Sequence, residues 1–256
     1  MSPLSAIDLD LADIQPTVGR GGSGTAADGG AAAIDDGWTG CLLHGFGASA
    51  NDLVGLAPEL GRARYWIFPH APVPITVAGM SYGRAWFPRD DGDLERALYG
   101  GYFGNLRHLE PQGLHDAASE VRELLAQRDV DWSRLILGGF SQGAMVTAEV
   151  LRQSLADPSL PTPAVAILFS GALTAAGWWQ GLSLGGTGAT RPAPHDLPRI
   201  LQSHGDVDPV LPMADGEALR DALVAAGYSV EWVPFHGRHE IPQEAIAAAR
   251  AVIVRG

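Results

Sequence analysis

The chain has 256 residues, 46% of them hydrophobic and 18% charged, with a formal net charge of -12. That suits a globular protein with its own core and argues against nucleic acid or anionic lipid as a partner, since both bind basic surface. All 17 basic residues are arginine, which excludes chemistry that needs a lysine amine, and the single Cys41 excludes a disulfide framework or a cysteine-built zinc site.

The opening residues, MSPLSAIDLDLADIQPTVG, show neither a basic start nor an apolar run of signal-peptide length. No later stretch reaches the roughly 20 apolar residues of a membrane helix, so a cytoplasmic setting without stable membrane insertion is expected. Residues 1–37 read as an N-terminal extension ending in a Gly-, Ala- and Asp-rich loop. Within it, Gly19-Arg20-Gly21-Gly22-Ser23-Gly24 fits G-x-G-x-x-G by letter only. No strand leads closely into it and no helix leaves it, so no dinucleotide site is expected.

A strand is predicted from about Thr39 to Leu43, then a glycine turn, then a helix over ANDLVGLAPEL with Asn51 or Asp52 near its start. YWIFPHAP reads as a second buried strand. From about 73 to 113 the sequence loses its period and reads as an irregular excursion over one face. LHDAASEVRELLAQRDVD regains helical spacing, with Leu114, Ala118, Val121, Leu124 and Leu125 on one side. RLILGG is a central strand and QGAMVTAEVLRQSLA the helix leaving it. AVAILFSG, RILQSHG and SVEWVPF are further strands. DGEALRDALVAAG, ended by Gly227, and PQEAIAAARAVIVR are the last helices. Alternating helices with strands that are apolar throughout predict an α/β fold, a mostly parallel sheet covered by helices on both faces.

Gly139-Phe140-Ser141-Gln142-Gly143 fits G-x-S-x-G between a strand and a helix. A serine there sits on a strained turn, with the amide of Gln142 at a helix N-terminus, where it can face a developing oxyanion. The hydroxyl needs a base, and the base an orienting acid, in the chain order serine, acid, histidine. QSHGDVDPVLP supplies Asp206 and Asp208 after one strand, and PFHGRHEIP supplies His236 and His239 after the last. LLHGFGAS brings the chain round so that the amide of Phe46 can be the second oxyanion donor. His204-x-Asp206-x-Asp208 lacks further ligands, so no metal is expected, and the reaction needs no cofactor.

The blocks LLHGFGASANDL, PHAPVPITVAGMSYGRAWFP, ILGGFSQGAMVT, QSHGDVDPVLP and HGRHEIPQEAI together resemble the phospholipase/carboxylesterase family of α/β-hydrolases. The resemblance runs from about residue 40 to the C-terminus and implies one α/β-hydrolase domain over 1–256. It assigns Ser141 as nucleophile, Asp208 as acid before P-V-x-P, and His239 as base. Asp206 and His236 are then loop-holding residues. It also implies a carboxylic ester hydrolase working through an acyl-enzyme on a small-molecule substrate. Thioesterase or lysophospholipase activity uses the same parts. A peptidase or a non-catalytic binder on this fold is the remaining alternative. The family's block around Met80, Trp86 and Phe87 implies a pocket-shaping loop, and Trp178 and Trp179 in the long 173–198 segment are further pocket candidates. The Phe46-Gly47-Ala48-Ser49 turn departs from the family by lacking an acid after the glycine. Whether the protein is a monomer or a homodimer is open at this level.

Overall fold

The computed structural model describes residues 3–13, 37–184 and 197–255. The Gly19–Gly24 stretch and residues 185–196 lie outside them. Among the described residues, seven strands form one sheet: β1 (Ala6–Asp10), β2 (Thr39–Leu43), β3 (Tyr65–Pro69), β6 (Leu135–Phe140), β7 (Val165–Phe169), β8 (Arg199–Gly205) and β9 (Val230–Phe235). Two more, β4 (Val73–Val77) and β5 (Met80–Ala85), make a separate antiparallel hairpin. The sheet order is β1-β3-β2-β6-β7-β8-β9, parallel throughout except for the antiparallel edge pair β1–β3.

The central strands are buried on both faces, as their unbroken apolar runs require. Their side chains alternate. Cys41, Leu43, Leu135 and Leu137 join the core under α3 (Leu114–Ala126) and α4 (Gln142–Ala156). Ala166, Leu168 and Ile200 extend that layer beneath α4 and α5 (Met213–Ala225). Leu42, Ile136, Ile167 and Leu201 point the other way, into a core closed by α1 (Ala57–Leu60) and α6 (Gln243–Val254). The predicted face of α3, Leu114, Ala118, Val121, Leu124 and Leu125, is buried as expected. Among the described residues no helix is long and apolar enough to cross a membrane.

Register levels the strand ends. Leu43 pairs with Gly139, Phe140 with Phe169, Phe169 with Ser203, and Gly205 with Phe235. The turns after β2, β6, β8 and β9 therefore leave the sheet side by side, where doubly wound sheets place their chemistry.

Three local expectations change. The N-terminal extension contains β1, whose short AIDLD alternation pairs with β3 while Asp10 bonds Arg64 and Asp8 bonds Arg128. The irregular excursion holds the β4–β5 hairpin and α2 (Asp91–Tyr99), whose first turn is capped by the Asp90 carboxylate accepting from the Asp93 amide at 2.7 Å. ANDLVGLAPEL runs as a 3-10 helix over Ala50–Leu56 and becomes α-helical only in α1. Its N-cap is Ser49 rather than Asn51 or Asp52, and the Ser49 hydroxyl bonds the Asp52 carboxylate at 3.1 Å.

Candidate active site

Ser141 is the single residue between β6 and α4, with φ 55° and ψ −117°. A side chain at such a positive φ is strained and persists only where its surroundings over-determine it. They do so here. A Cβ on Gly143 would stand 2.0 Å from the Leu43 carbonyl oxygen, and one on Gly139 would stand 2.4 Å from the Gly143 carbonyl carbon. Strand and helix can approach this closely only because both positions are glycine. The Ser141 amide donates to the Phe169 carbonyl at 2.8 Å, and its own carbonyl accepts from the Met145 amide at 3.2 Å. The residue is 8% exposed.

Asp208 and His239 come from the turns after β8 and β9. Nδ1 of His239 lies 2.6 Å from Oδ2 of Asp208, whose side chain is fully buried. Oδ1 accepts from the amides of Val210 and Leu211 at 2.8 and 2.9 Å. Burial pushes the carboxyl upward, but the bonds from His239, Leu211 and Val210 outweigh it and hold Asp208 below the usual carboxylate range. An ionised Asp208 makes Nδ1 the donor and leaves Nε2 of His239 as the acceptor. The imidazole also packs on Phe140, ring centroids 4.7 Å apart, which ties it to the end of the serine's own strand. His204, fully buried, sets Nε2 at 2.9 Å from the Leu211 carbonyl and braces the turn that carries Asp208.

Asp206 and His236 form a second pair between the same turns, at 3.1 Å, with Asp206 also accepting from the Gly237 amide at 3.2 Å. The His236 side chain is 87% exposed, and its neighbouring carboxylate raises its pKa. This pair joins the two loops at the surface.

The turn after β2 is held from behind. Gly47 and Arg84 exchange backbone contact through the Gly47 amide, at 2.9 Å from the Arg84 carbonyl, and the Arg84 amide reaches the Ala48 carbonyl at 3.0 Å. A Cβ on Gly83 would lie 2.1 Å from the Gly47 carbonyl oxygen, so β5 packs directly on this turn. His44 accepts at Nε2 from the Ala71 amide at 3.1 Å, which puts its proton on Nδ1, toward the Gly45 carbonyl at 2.8 Å. Burial depresses its pKa to about 4, so the ring is neutral. Among the described residues the amide of Phe46 makes no hydrogen bond, and the amide of Gln142, first in its helix, has no carbonyl a turn below it.

Two contributions went unread in the sequence. The side chain of Gln142, fully buried, accepts at Oε1 from the Trp86 amide at 2.9 Å and donates through Nε2 to the Phe87 carbonyl. Trp86 in turn donates from Nε1 to the His44 carbonyl at 2.9 Å. A glutamine following the serine into a fully buried helix start was the available signal, because such an amide must find partners.

A cavity of about 560 Å³ opens on Ser141 and His239, walled by Phe46, Leu53, Leu56, Phe103, Phe140, Val210 and Ile241. None of the predicted pocket residues lines it. Trp86 and Phe87 are fully buried in the core beneath α3 and serve as the clamp just described. Met80 is 59% exposed on the hairpin. Trp178 packs against the α3–α4 core with the Arg152 guanidinium 5.4 Å over its ring, and Trp179 packs beside α4 and α5.

A mostly parallel sheet with a strained serine after its central strand, and an Asp–His pair in the turns after its last two strands, defines an α/β-hydrolase. The chain belongs to the phospholipase/carboxylesterase family, whose model matches residues 39–254. It is accordingly an ester-cleaving hydrolase. Over 218 residues it is 29% identical to acyl-protein thioesterase 1 of Gibberella zeae, covering 79% of this chain and 84% of that one. The fold also matches the crystal structure of esterase PE8, at TM-score 0.64 and 24% identity over 99% of both chains. The carboxylesterase of Bacillus cereus matches at TM-score 0.60 and 14% identity, over 98% of this chain and 94% of that one.

Proposed function

We propose that the protein is a cofactor-independent serine carboxylesterase, one domain acting on a small-molecule ester in the cytoplasm. The Ser141 hydroxyl attacks the ester carbonyl while Nε2 of His239 takes its proton, and ionised Asp208 stabilises the imidazolium. The tetrahedral oxyanion sits between the amides of Phe46 and Gln142. Collapse expels the alcohol, which receives the proton from His239 and leaves Ser141 acylated. A water molecule, deprotonated by the same imidazole, then attacks the acyl-enzyme and releases the acid. The observation that carries this reading is the 2.6 Å Asp208–His239 pair, buried at its acid end and bordering the cavity that also holds Ser141.

A second reading, cleavage of an acyl thioester, is favoured by the 29% identical relative, which is named an acyl-protein thioesterase. It uses the same parts and differs only in the leaving group. A fluorophosphonate probe tests the shared chemistry. Wild type is expected to be labelled and Ser141→Ala left unlabelled, with ester turnover lost in parallel. Labelling at another residue, or full turnover in Ser141→Ala, would refute the assignment.

A further inference from the structure

We propose that the cavity at Ser141 selects esters whose variable group is uncharged or cationic and turns anionic ones away. The inference rests on reading Ser141 as the nucleophile. It follows from what the wall holds and what it omits. Most of the wall is apolar, and three of its rings, Phe46, Phe103 and Phe140, are aromatic. Phe46 and Phe103 meet edge to face, centroids 5.1 Å apart. Among the described residues, the only carboxylates in the wall are those of Asp52 and Glu240, and no arginine lines it. Lysine is absent from the whole chain.

The two histidines in the wall do not compensate. His44 is neutral, its pKa at about 4 through burial, and His239 is committed to Asp208. Asp52 stands in the same wall, and its charge favours the protonated form of His44, though burial outweighs it. Among the described residues, two arginines on the flanking segments are occupied or outside the wall. The Arg84 guanidinium donates to the Ala71 and Pro72 carbonyls behind the oxyanion turn. Arg238, whose amide bonds the Glu240 carboxylate at 3.0 Å, is exposed and does not line the cavity.

A phosphate or carboxylate entering this space would exchange water for apolar surface and two like charges, with no cation among the described lining residues to pair it. A quaternary ammonium would meet aromatic faces and carboxylates, the surroundings that recognise such cations. Among acyl donors, those carrying a phosphate or carboxylate close to the reacting carbonyl are therefore disfavoured. Neutral carboxylic esters fit, and cationic ones fit at least as well.

Three nitrophenyl esters of equal acyl length test this, their tails ending in tert-butyl, trimethylammonium or carboxylate. At low ionic strength, kcat/KM for the carboxylate ester is expected at least about tenfold below the tert-butyl ester, mainly through KM. The trimethylammonium ester, an isostere, should match or exceed the tert-butyl one. In the double variant Asp52→Asn/Glu240→Gln the carboxylate penalty should shrink to within about threefold. Added salt should shrink it in wild type as well, since both carboxylates face solvent. Equal turnover of carboxylate and tert-butyl esters would overturn the proposal. A penalty that survives both the double substitution and salt would overturn the role given to Asp52 and Glu240. Absence of turnover for all three esters, or turnover that survives Ser141→Ala, would instead remove the nucleophile on which the inference rests.

Discussion

The strain at Ser141 can be measured by removing its side chain in two ways. Ser141→Ala deletes the hydroxyl but keeps a Cβ at φ 55°, ψ −117°. Ser141→Gly deletes both. A non-glycine residue in a sparsely populated backbone region costs about 1 to 3 kcal/mol. Glycine returns some of that gain by loosening the unfolded chain, about 0.5 to 1 kcal/mol. The glycine variant should therefore be more stable than the alanine variant by about 1 kcal/mol, or roughly 2 to 4 °C in Tm for a chain of this size. The assay is paired urea and thermal unfolding of both variants, with ester turnover measured beside them. Turnover should be lost in both, and stability should separate them. A glycine variant no more stable than the alanine one would refute the reasoning, because the elbow would then hold no strain for the fold to offset.

Gly143→Ala places its Cβ 2.0 Å from the Leu43 carbonyl oxygen, so strand and helix must part. We expect about 3 kcal/mol of lost stability and a fall in kcat of about 100-fold as the Gln142 amide moves, whereas Gly177→Ala, where no atom lies within 4 Å, should change neither. Asp208→Asn should nearly abolish turnover, since the amide offers His239 a donor where a charged acceptor is needed. Its stability deficit, about 1 to 3 kcal/mol, should depend on pH in one direction. The folded-state pKa of Asp208 lies below its unfolded value of 3.8, so its contribution is fully present above that value and fades as pH falls through the folded pKa. Unfolding curves of wild type and variant should accordingly converge in strong acid and diverge toward neutrality.

What was legible in the chain was whatever a local pattern encodes. Apolar runs marked the central strands, and strand order placed Ser141, both acids (Asp206, Asp208) and both histidines (His236, His239) in turns at one end of the sheet; the choice of Asp208 and His239 came from the family resemblance. The cavity wall was not legible. Leu53, Leu56, Phe103, Phe140, Val210 and Ile241 reach it from five separate segments. A local pattern shows that such residues are apolar, not whether they face a core or a substrate. Trp86 and Phe87 show the converse error. Their place in a family block suggested a pocket, yet burial in the α3 core sends their backbone and indole groups to Gln142 and His44. The edge strand β1 escaped because five residues, four at intermediate burial and Asp8 exposed, give too weak an alternation beside a glycine-rich stretch.

The clamp through Gln142 joins the two halves of the proposed oxyanion site. One amide donor would come from the turn after β2 and the other from the start of α4, elements far apart in sequence. Gln142 would supply the second donor from its own backbone, and its side chain holds Trp86 and Phe87. The Trp86 indole then holds the His44 carbonyl, two residues before Phe46. The Leu43 carbonyl, packed on Gly143, closes the loop from the other side. Each donor is thus positioned by contacts that also fix the other, and Leu43, His44, Trp86, Phe87 and Gln142 are buried, where an unmade hydrogen bond is costly. An oxyanion formed between them would meet dipoles already in place, with no reorganisation left to do at the moment of reaction. The same packing restrains the Ser141 backbone, so the strain at the proposed nucleophile and the rigidity that would stabilise its tetrahedral intermediate come from one set of contacts.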